Sequence, residues 1–271
     1  MAELDQCTLI TGATGGIGAA TARRFAAAGY RVFGTSRSPR GDVAGVEMLE
    51  LDVRAGGSVE RCVAEVLERA GRIDVLVNNA GVWHVGIAEE TPLADARTVF
   101  DTDFWGAVRV IAAVLPGMRE RRSGRIINIG SLGAWVGEPG EAFYAASKRA
   151  LATYTEALRH EVWPFGVHVS LVEPGAFATG LQQVEPSRDA AIEDYDAVRG
   201  AVRRTLRRAL RGGGDPDRVA RVVLRVARAR RPRLRYAVGR ERWLPYLRML
   251  LPQRWFDYLV RHGFGLTKLG R

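Results

Sequence analysis

Tyr144 and Lys148 stand four residues apart in a segment whose apolar stripe is Leu151, Tyr154, Leu158 and Val162. On a helix that spacing puts both side chains on neighbouring turns of one face. A phenol near its free pKa of about 10 is a poor acid–base group at neutral pH, and an adjacent ammonium stabilises the phenolate and lowers that value. The pair therefore suits proton transfer to an oxygen that gains negative charge. The plainer alternative is a packed tyrosine beside a solvated lysine. Against it, Lys148 is the only lysine before residue 268 in a chain that otherwise uses arginine. A second constellation lies upstream, where Thr11-Gly12-Ala13-Thr14-Gly15-Gly16-Ile17-Gly18 follows an apolar run and opens a segment with Phe25 and Ala26 on its apolar side. Glycines permit a tight turn and let backbone approach a pyrophosphate, while a helix N-terminus attracts its charge. Alone, such a turn is also compatible with a merely structural role.

These residues need elements to hold them. Apolar runs at residues 7–11, 30–35, 46–51, 74–77, 125–129, 167–172 and 234–238 read as strands, and helical spacing fills the gaps between them. Strands separated by helix-length segments imply right-handed crossovers and a parallel sheet covered on both faces. The expected fold is a doubly wound α/β domain of about seven strands over residues 1–240, with no internal repeat. Residues 176–214, with Pro186 and three consecutive glycines at 212–214, break the rhythm and read as a mobile lid over the substrate. Residues 241–271 read as an amphipathic C-terminal extension, in which residues 243–260 form one or two helices that close over the site or simply pack on the core.

The order of five motifs adds a resemblance: T-G-x-x-x-G-I-G, Asn78-Asn79-Ala80-Gly81, Ser131, Tyr144-x-x-x-Lys148 and Pro174-Gly175. Over residues 7–180 the chain resembles the short-chain dehydrogenase/reductases. Beyond Gly180 it is only loosely similar, and residues 233–264 look most like the retinol and 17-beta-hydroxysteroid dehydrogenase branch. The resemblance implies a Rossmann-like NAD(P)(H)-dependent oxidoreductase that interconverts a ketone or aldehyde and an alcohol by hydride transfer. It implies that Ser131 hydrogen-bonds the substrate oxygen, that Tyr144 donates the proton and that Lys148 also bonds the nicotinamide ribose. It places Gly12, Thr14, Gly16, Ile17 and Gly18 at the pyrophosphate, Asp52 and Val53 at the adenine, and Asn79, Ala80 and Gly81 at the ribose and nicotinamide side. Pro174 and Gly175 follow, with Phe177 and Thr179 approaching the carboxamide. After the second strand, NAD-specific members carry an acid; here Thr35-Ser36-Arg37 has none, and Arg37 can fork onto a 2′-phosphate with Ser36 as second donor. NADPH/NADP+ is therefore expected rather than NADH, although Arg37 read alone is equally a surface arginine. Trp83, His84, Trp135, Phe143 and Phe177 would wall an apolar, polycyclic or long-chain substrate, with core packing an equal reading for each. The usual fourth catalytic residue of the family is asparagine, and Asp103 stands in its place. Ionised, it would stabilise the Lys148 ammonium and oppose the Tyr144 phenolate; protonated, it would imitate the amide; or it only caps nearby backbone.

Composition bounds the alternatives. Of the 271 residues, 47% are hydrophobic and 26% charged, which fits a globular domain. No apolar run is long enough to span a bilayer and residues 1–6 are acidic rather than signal-like, so a cytoplasmic protein is expected. Cys7 and Cys62 read as core thiols, and His84, His160, His168 and His262 have no metal spacing, so no metal is expected. The formal charge is +10, but residues 199–271 carry 20 arginines and Lys268 against four acids, a net +17. Such a tail would attract a membrane surface or an acidic partner, such as a carrier protein bearing the substrate. No groove-reading motif accompanies it, so nucleic acid is not expected. A homodimer is expected by family analogy. Two further readings stay open: a cofactor-bound regulatory scaffold without turnover, and an isomerase- or dehydratase-like variant using Asp103.

Overall fold

Runs of Val, Ile and Leu too short for helices form the strands, and the longer segments between them, apolar at three- and four-residue spacing, form the helices. The computed structural model describes residues 6–39, 45–177, 183–184 and 191–269. In chain order the elements are β1 (Cys7–Ile10), α1 (Gly16–Ala27), β2 (Arg31–Ser36), β3 (Val46–Glu50), α2 (Gly56–Ala70), β4 (Val75–Asn78), β5 (Trp83–His84) and α3 (Leu93–Phe100). There follow α4 (Gly106–Glu120), β6 (Gly124–Ile129), α5 (Ala142–Glu161), β7 (Val167–Pro174), β8 (Gln183–Val184), α6 (Asp196–Arg211), α7 (Asp217–Arg228), β9 (Arg235–Val238), α8 (Leu244–Leu250) and α9 (Gln253–Gly263). A π-helical turn, Asp101–Trp105, joins α3 to α4. All seven expected strands are present, with ends that differ by one or two residues.

The seven strands make one parallel sheet in the order β3-β2-β1-β4-β6-β7-β9. Successive strand residues face opposite sides, so Leu9, Leu76 and Ile126 enter one core layer while Ile10, Val77 and Ile127 enter the other. The first layer packs against α2, α4 and α5 through Val63, Val110, Ile111 and Leu158. The second packs against α1 and α7 through Phe25, Val219 and Val223. Burial on both faces explains why these strands are apolar throughout rather than alternating. Cys7 and Cys62 are free and buried in the first layer, and burial pushes both thiols up to about 12.

The expected lid contains a regular helix, α6, anchored rather than loose. The Arg199 guanidinium pairs with the Glu90 carboxylate and with Asp196, and Glu90 also accepts from the backbone N–H of Ile192 at 2.9 Å. Val202 and Leu206 of α6 join Val85 and Phe264 in a small third core. Residues 178–182 and 185–190, including Thr179 and Pro186, lie outside the described residues. The C-terminal region forms two helices, α8 and α9, attached through buried Phe256 and Phe264. Among the described residues, no helix is long and apolar enough to cross a membrane.

Candidate active site

Between β1 and β4 the winding of the sheet reverses, and a cavity of about 660 Å³ opens outside the carboxyl ends of the strands. Its floor is the turn from β1 into α1. Gly12 has φ +68°, and a Cβ there would lie 2.9 Å from the Ala80 Cα. At Gly18 a Cβ would collide with the Gly12 carbonyl oxygen, so helix and turn approach this closely only with glycine at both places. Asn79 clamps the turn: its Nδ2 donates to the carbonyls of Thr11 and Gly12 at 2.9 and 3.0 Å. Thr11 Oγ1 in return accepts from the backbone N–H groups of Asn79 and Ala80, both at 2.9 Å. Helix α1 starts with no side-chain cap and no acid in its first turn, which leaves its N-terminal dipole available to an anion. Gly12, Thr14 and Ile17 line the cavity, while Gly16, at φ +52°, and Gly18 shape the turn behind it.

One end of the cavity lies at the tips of β2 and β3. Ser36, Arg37, Asp52 and Val53 line it, as does Arg54, which the sequence reading did not single out. Arg54 forks onto Asp52 at 2.7 Å, and this hydrogen bond holds the Asp52 carboxyl below its ordinary range. The cradle fits a dinucleotide: a glycine turn with open helix N–H groups in the middle and guanidinium donors at the far end.

At the other end stand Ser131, Tyr144 and Lys148. A chain of buried hydrogen bonds seats α5 on the sheet, running from Asn78 Nδ2 to Asn128 Oδ1 and from Asn128 Nδ2 to Thr155 Oγ1, each 2.9 Å. Ser131 ends the segment after β6, and its Oγ accepts from the Gly133 N–H at 3.1 Å. The Lys148 Nζ lies 3.4 Å from the Ile129 carbonyl, 3.4 Å from Asp103 Oδ2 and 5.8 Å from the centre of the Tyr144 ring. Asp103 sits in the π-helical turn, completely buried, and its Oδ1 accepts from the Val82 N–H at 2.8 Å. It caps backbone and pairs with Lys148 at once, from behind Gly81 rather than from the cavity wall. Burial raises the Asp103 carboxyl above its usual range, opposed by the Lys148 ammonium.

Tyr144 departs from the expectation that Lys148 lowers its pKa. Burial raises the phenol, the Asp103 and Glu141 carboxylates raise it further, and the Ser131 hydrogen bond opposes them. Three expected substrate residues are also placed elsewhere. His84 is fully buried, edge-on to Phe143 at 6.1 Å. Trp135 lies between the guanidiniums of Arg149 and Arg235 and donates from Nε1 to Glu173 at 2.8 Å. None of His84, Phe143 and Trp135 lines the cavity, because local aromatic partners claim the first two and an arginine sandwich the third. Trp83, Pro174, Gly175 and Phe177 do line it. So do residues the sequence reading missed: Glu138, Glu141, Leu206, Leu210, Glu241 and Leu244. Leu206, Leu210, Glu241 and Leu244 reach the site because α6 and the C-terminal segment fold back over it, for which no local spacing was a signal, whereas Glu138 and Glu141 lie in the connection between β6 and α5.

A dinucleotide cradle ending in a serine, a tyrosine and a lysine defines an oxidoreductase built on the doubly wound fold. The comparisons specify it further: the short chain dehydrogenase family model matches residues 6–190, and the chain belongs to that family, whose members use a nicotinamide dinucleotide. It is 36% identical to the 3-ketodihydrosphingosine reductase of Bacteroides thetaiotaomicron, covering 96% of this chain and 98% of that one. It is 37% identical to the estradiol 17-beta-dehydrogenase 1 of Rattus norvegicus, covering 89% and 75% respectively. A short-chain dehydrogenase from Streptomyces avermitilis superimposes with a TM-score of 0.81 at 35% identity, covering 97% of this chain and 99% of that one.

The contact of Asp103 with Lys148 and its effect on Tyr144 have a measurable consequence. An anionic Asp103 raises the phenol, so replacing it with a neutral amide lowers the pH at which the phenolate forms. Asp103→Asn is expected to move the alkaline-going limb of the alcohol-oxidation profile to lower pH. Superimposable profiles for the two proteins would remove the electrostatic role.

Proposed function

We propose that the chain is an NADPH-dependent carbonyl reductase acting on an apolar substrate, with Tyr144 as proton donor. The observation that carries this reading is the convergence of Ser131, Tyr144 and Lys148 on a cavity whose opposite end presents Ser36 and Arg37 at the tip of β2, where the sequence has no acid, with the nearby Asp52 already paired to Arg54. NADPH, when bound, supplies a hydride to the carbonyl carbon. Ser131 Oγ–H and Tyr144 Oη–H both hydrogen-bond the carbonyl oxygen, and the phenol proton passes to it as it becomes an alkoxide. Lys148 Nζ holds a positive charge against the developing phenolate and donates to the cofactor ribose. Burial and the neighbouring carboxylates keep the phenol in its protonated form, the form from which reduction starts, and also make it a weaker acid, so transfer relies on the Lys148 ammonium and the Ser131 hydroxyl to stabilise the phenolate that results. The substrate wall supports an apolar compound, since Phe177, Leu206, Leu210 and Leu244 line it, and the relatives named for ketodihydrosphingosine and estradiol favour a long-chain or polycyclic skeleton. Asp103, away from the cavity wall, has no route to abstract a substrate proton, which disfavours an isomerase.

The C-terminal helices support a second element of this reading, peripheral contact with an anionic membrane. Trp243, Tyr246, Met249, Leu250, Trp255 and Tyr258 are all more than half exposed. Exposed Arg242, Arg254 and Arg261 flank them. Aromatic and aliphatic side chains on short helices rimmed by arginine match the headgroup–acyl boundary of a bilayer. Leu244, which opens α8, also lines the cavity, so this face borders the entrance a lipidic substrate would use.

Three measurements test these assignments. Arg37→Ala is expected to weaken NADPH about 10- to 100-fold and NADH far less, the scale of a lost charged hydrogen bond; equal loss for both, or a wild-type preference for NADH, would overturn the cofactor assignment. Tyr144→Phe is expected to keep NADPH binding and lower turnover about 10²- to 10⁴-fold, whereas a near wild-type rate would place the acid elsewhere. In sedimentation with phosphatidylglycerol-containing vesicles the protein should bind at low salt and release as the screening length falls to about 8 Å near 0.15 M. Equal binding to neutral phosphatidylcholine vesicles, or none to either, would remove the membrane contact.

A further inference from the structure

The cavity is electrically polarised along its length. Arg37, after β2, and Arg54, after β3 and paired with Asp52, mark one end; Glu138, after β6, Glu141, at the start of α5, and Glu241, after β9, mark the other, where the one cation in the lining, Lys148, is paired with Asp103. In a chain of formal charge +10 the three glutamates form no ion pair with any described residue. Glu141 is only 6% exposed, and its Oε1 is taken by the indole N–H of Trp83. Its Oε2 makes no hydrogen bond to a described residue and lies 3.6 Å from the place a Gly133 Cβ would occupy, with Ser131 Oγ 3.3 Å from the same place. The Glu241 carboxylate fills the position of a Gly175 Cβ on the opposite wall. Burial and the Glu138 charge push the Glu141 carboxyl up to about 8, and burial together with Glu241 raises Glu138. These groups crowd one another without an ion-pair partner, so burial holds Glu141 protonated and neutral near pH 7, and a cation that enters allows its carboxylate to form beside it.

Two kinds of cation fit carboxylates in a cavity. A metal ion needs several ligands converging on one point, and among the described residues no group of three Asp, Glu, His or Cys side chains is so arranged. An organic ammonium instead takes separate acceptors around its three N–H groups. We propose that the substrate end of the cavity is a subsite for a protonated amine, so that the substrate is an amino ketone or amino alcohol whose ammonium rests on Glu141, with Glu138 and Glu241 closing around it. The shared neighbourhood of Glu141 Oε2 and Ser131 Oγ sets the amine only a few bonds from the oxygen being reduced. The rest of the molecule then lies against Leu206, Leu210 and Leu244, consistent with an amphiphile bearing a charged head and an apolar tail. The inference rests on the reading of Ser131 and Tyr144 as the pair that holds the carbonyl oxygen. It adds specificity: a neutral ketone of the same skeleton leaves the glutamates unpaired and binds less well.

The test is titration calorimetry on the full chain in the presence of NADPH, with which an alcohol forms a dead-end complex. The probes are 1-aminooctan-2-ol and its neutral counterpart octane-1,2-diol. The amino alcohol is expected to bind about 10- to 100-fold more tightly, and the preference should collapse in the Glu138→Gln, Glu141→Gln double variant while the diol still reports a folded site. Equal affinities in the wild type, absence of binding by both, or a preference that survives the double substitution would overturn the subsite. Reduction of 1-aminooctan-2-one, followed separately by loss of NADPH absorbance, distinguishes the two readings. Turnover without an amine preference removes only the subsite, and an amine preference without turnover removes only the reductase assignment.

Discussion

β1 pairs with β2 on one side and β4 on the other, and the crossovers reached from those two edges run over opposite faces of the sheet, α1 on one and α2 on the other. Where the two windings part, no helix can cover the carboxyl ends of the strands, and a crevice is left that only loops can line. The remaining features answer to that opening. Gly12 and Gly18 exist where they do because helix α1 must start immediately behind the crevice. Asn79 is committed to bracing the turn, with its amide bonded to two turn carbonyls. The buried chain from Asn78 through Asn128 to Thr155 fixes how far α5 stands from the sheet, and hence where Tyr144 and Lys148 meet the cavity.

The sheet and the reacting residues were largely legible in the sequence because both depend on short-range pattern. Apolar runs of strand length, glycines at the β1–α1 turn and a four-residue Tyr–Lys spacing carry their meaning locally. What was not legible depends on distant packing. His84 and Phe143 look like substrate contacts from their place beside motifs, yet they pack on each other. Trp135 is held between Arg149 and Arg235, far apart in sequence, and its indole N–H is already bonded to Glu173. The sign of the Tyr144 shift was misread for the same reason. The Tyr–Lys spacing shows the one cation and the motif order shows Asp103 opposing it, but the burial and the carboxylates of Glu141 and Glu138 become visible only once α5 and the β6–α5 connection are assembled.

The C-terminal third shows how one composition can serve two surfaces. Most of its arginines face outward, as do Trp243, Tyr246, Trp255 and Tyr258 of the α8–α9 region, whereas one of its few acids, Glu241, is turned into the cavity beside Gly175. A boundary drawn at residue 240 would therefore cut through the wall of the site, since Glu241 and Leu244 both belong to it.

The π-helical turn Asp101–Trp105 behaves as one residue too many in an otherwise continuous helix running from α3 into α4. Each residue in an α-helix advances about 100° around the axis. Deleting one of the four residues beside Asp103 would let the turn relax to regular geometry and rotate one side of it relative to the other by that amount. The carboxylate of Asp103 would swing away from both Val82 and Lys148 without a single catalytic side chain having been changed. The turn thus makes the site sensitive to chain length as well as to side-chain identity, and a homologue one residue shorter here would need a different partner for its lysine.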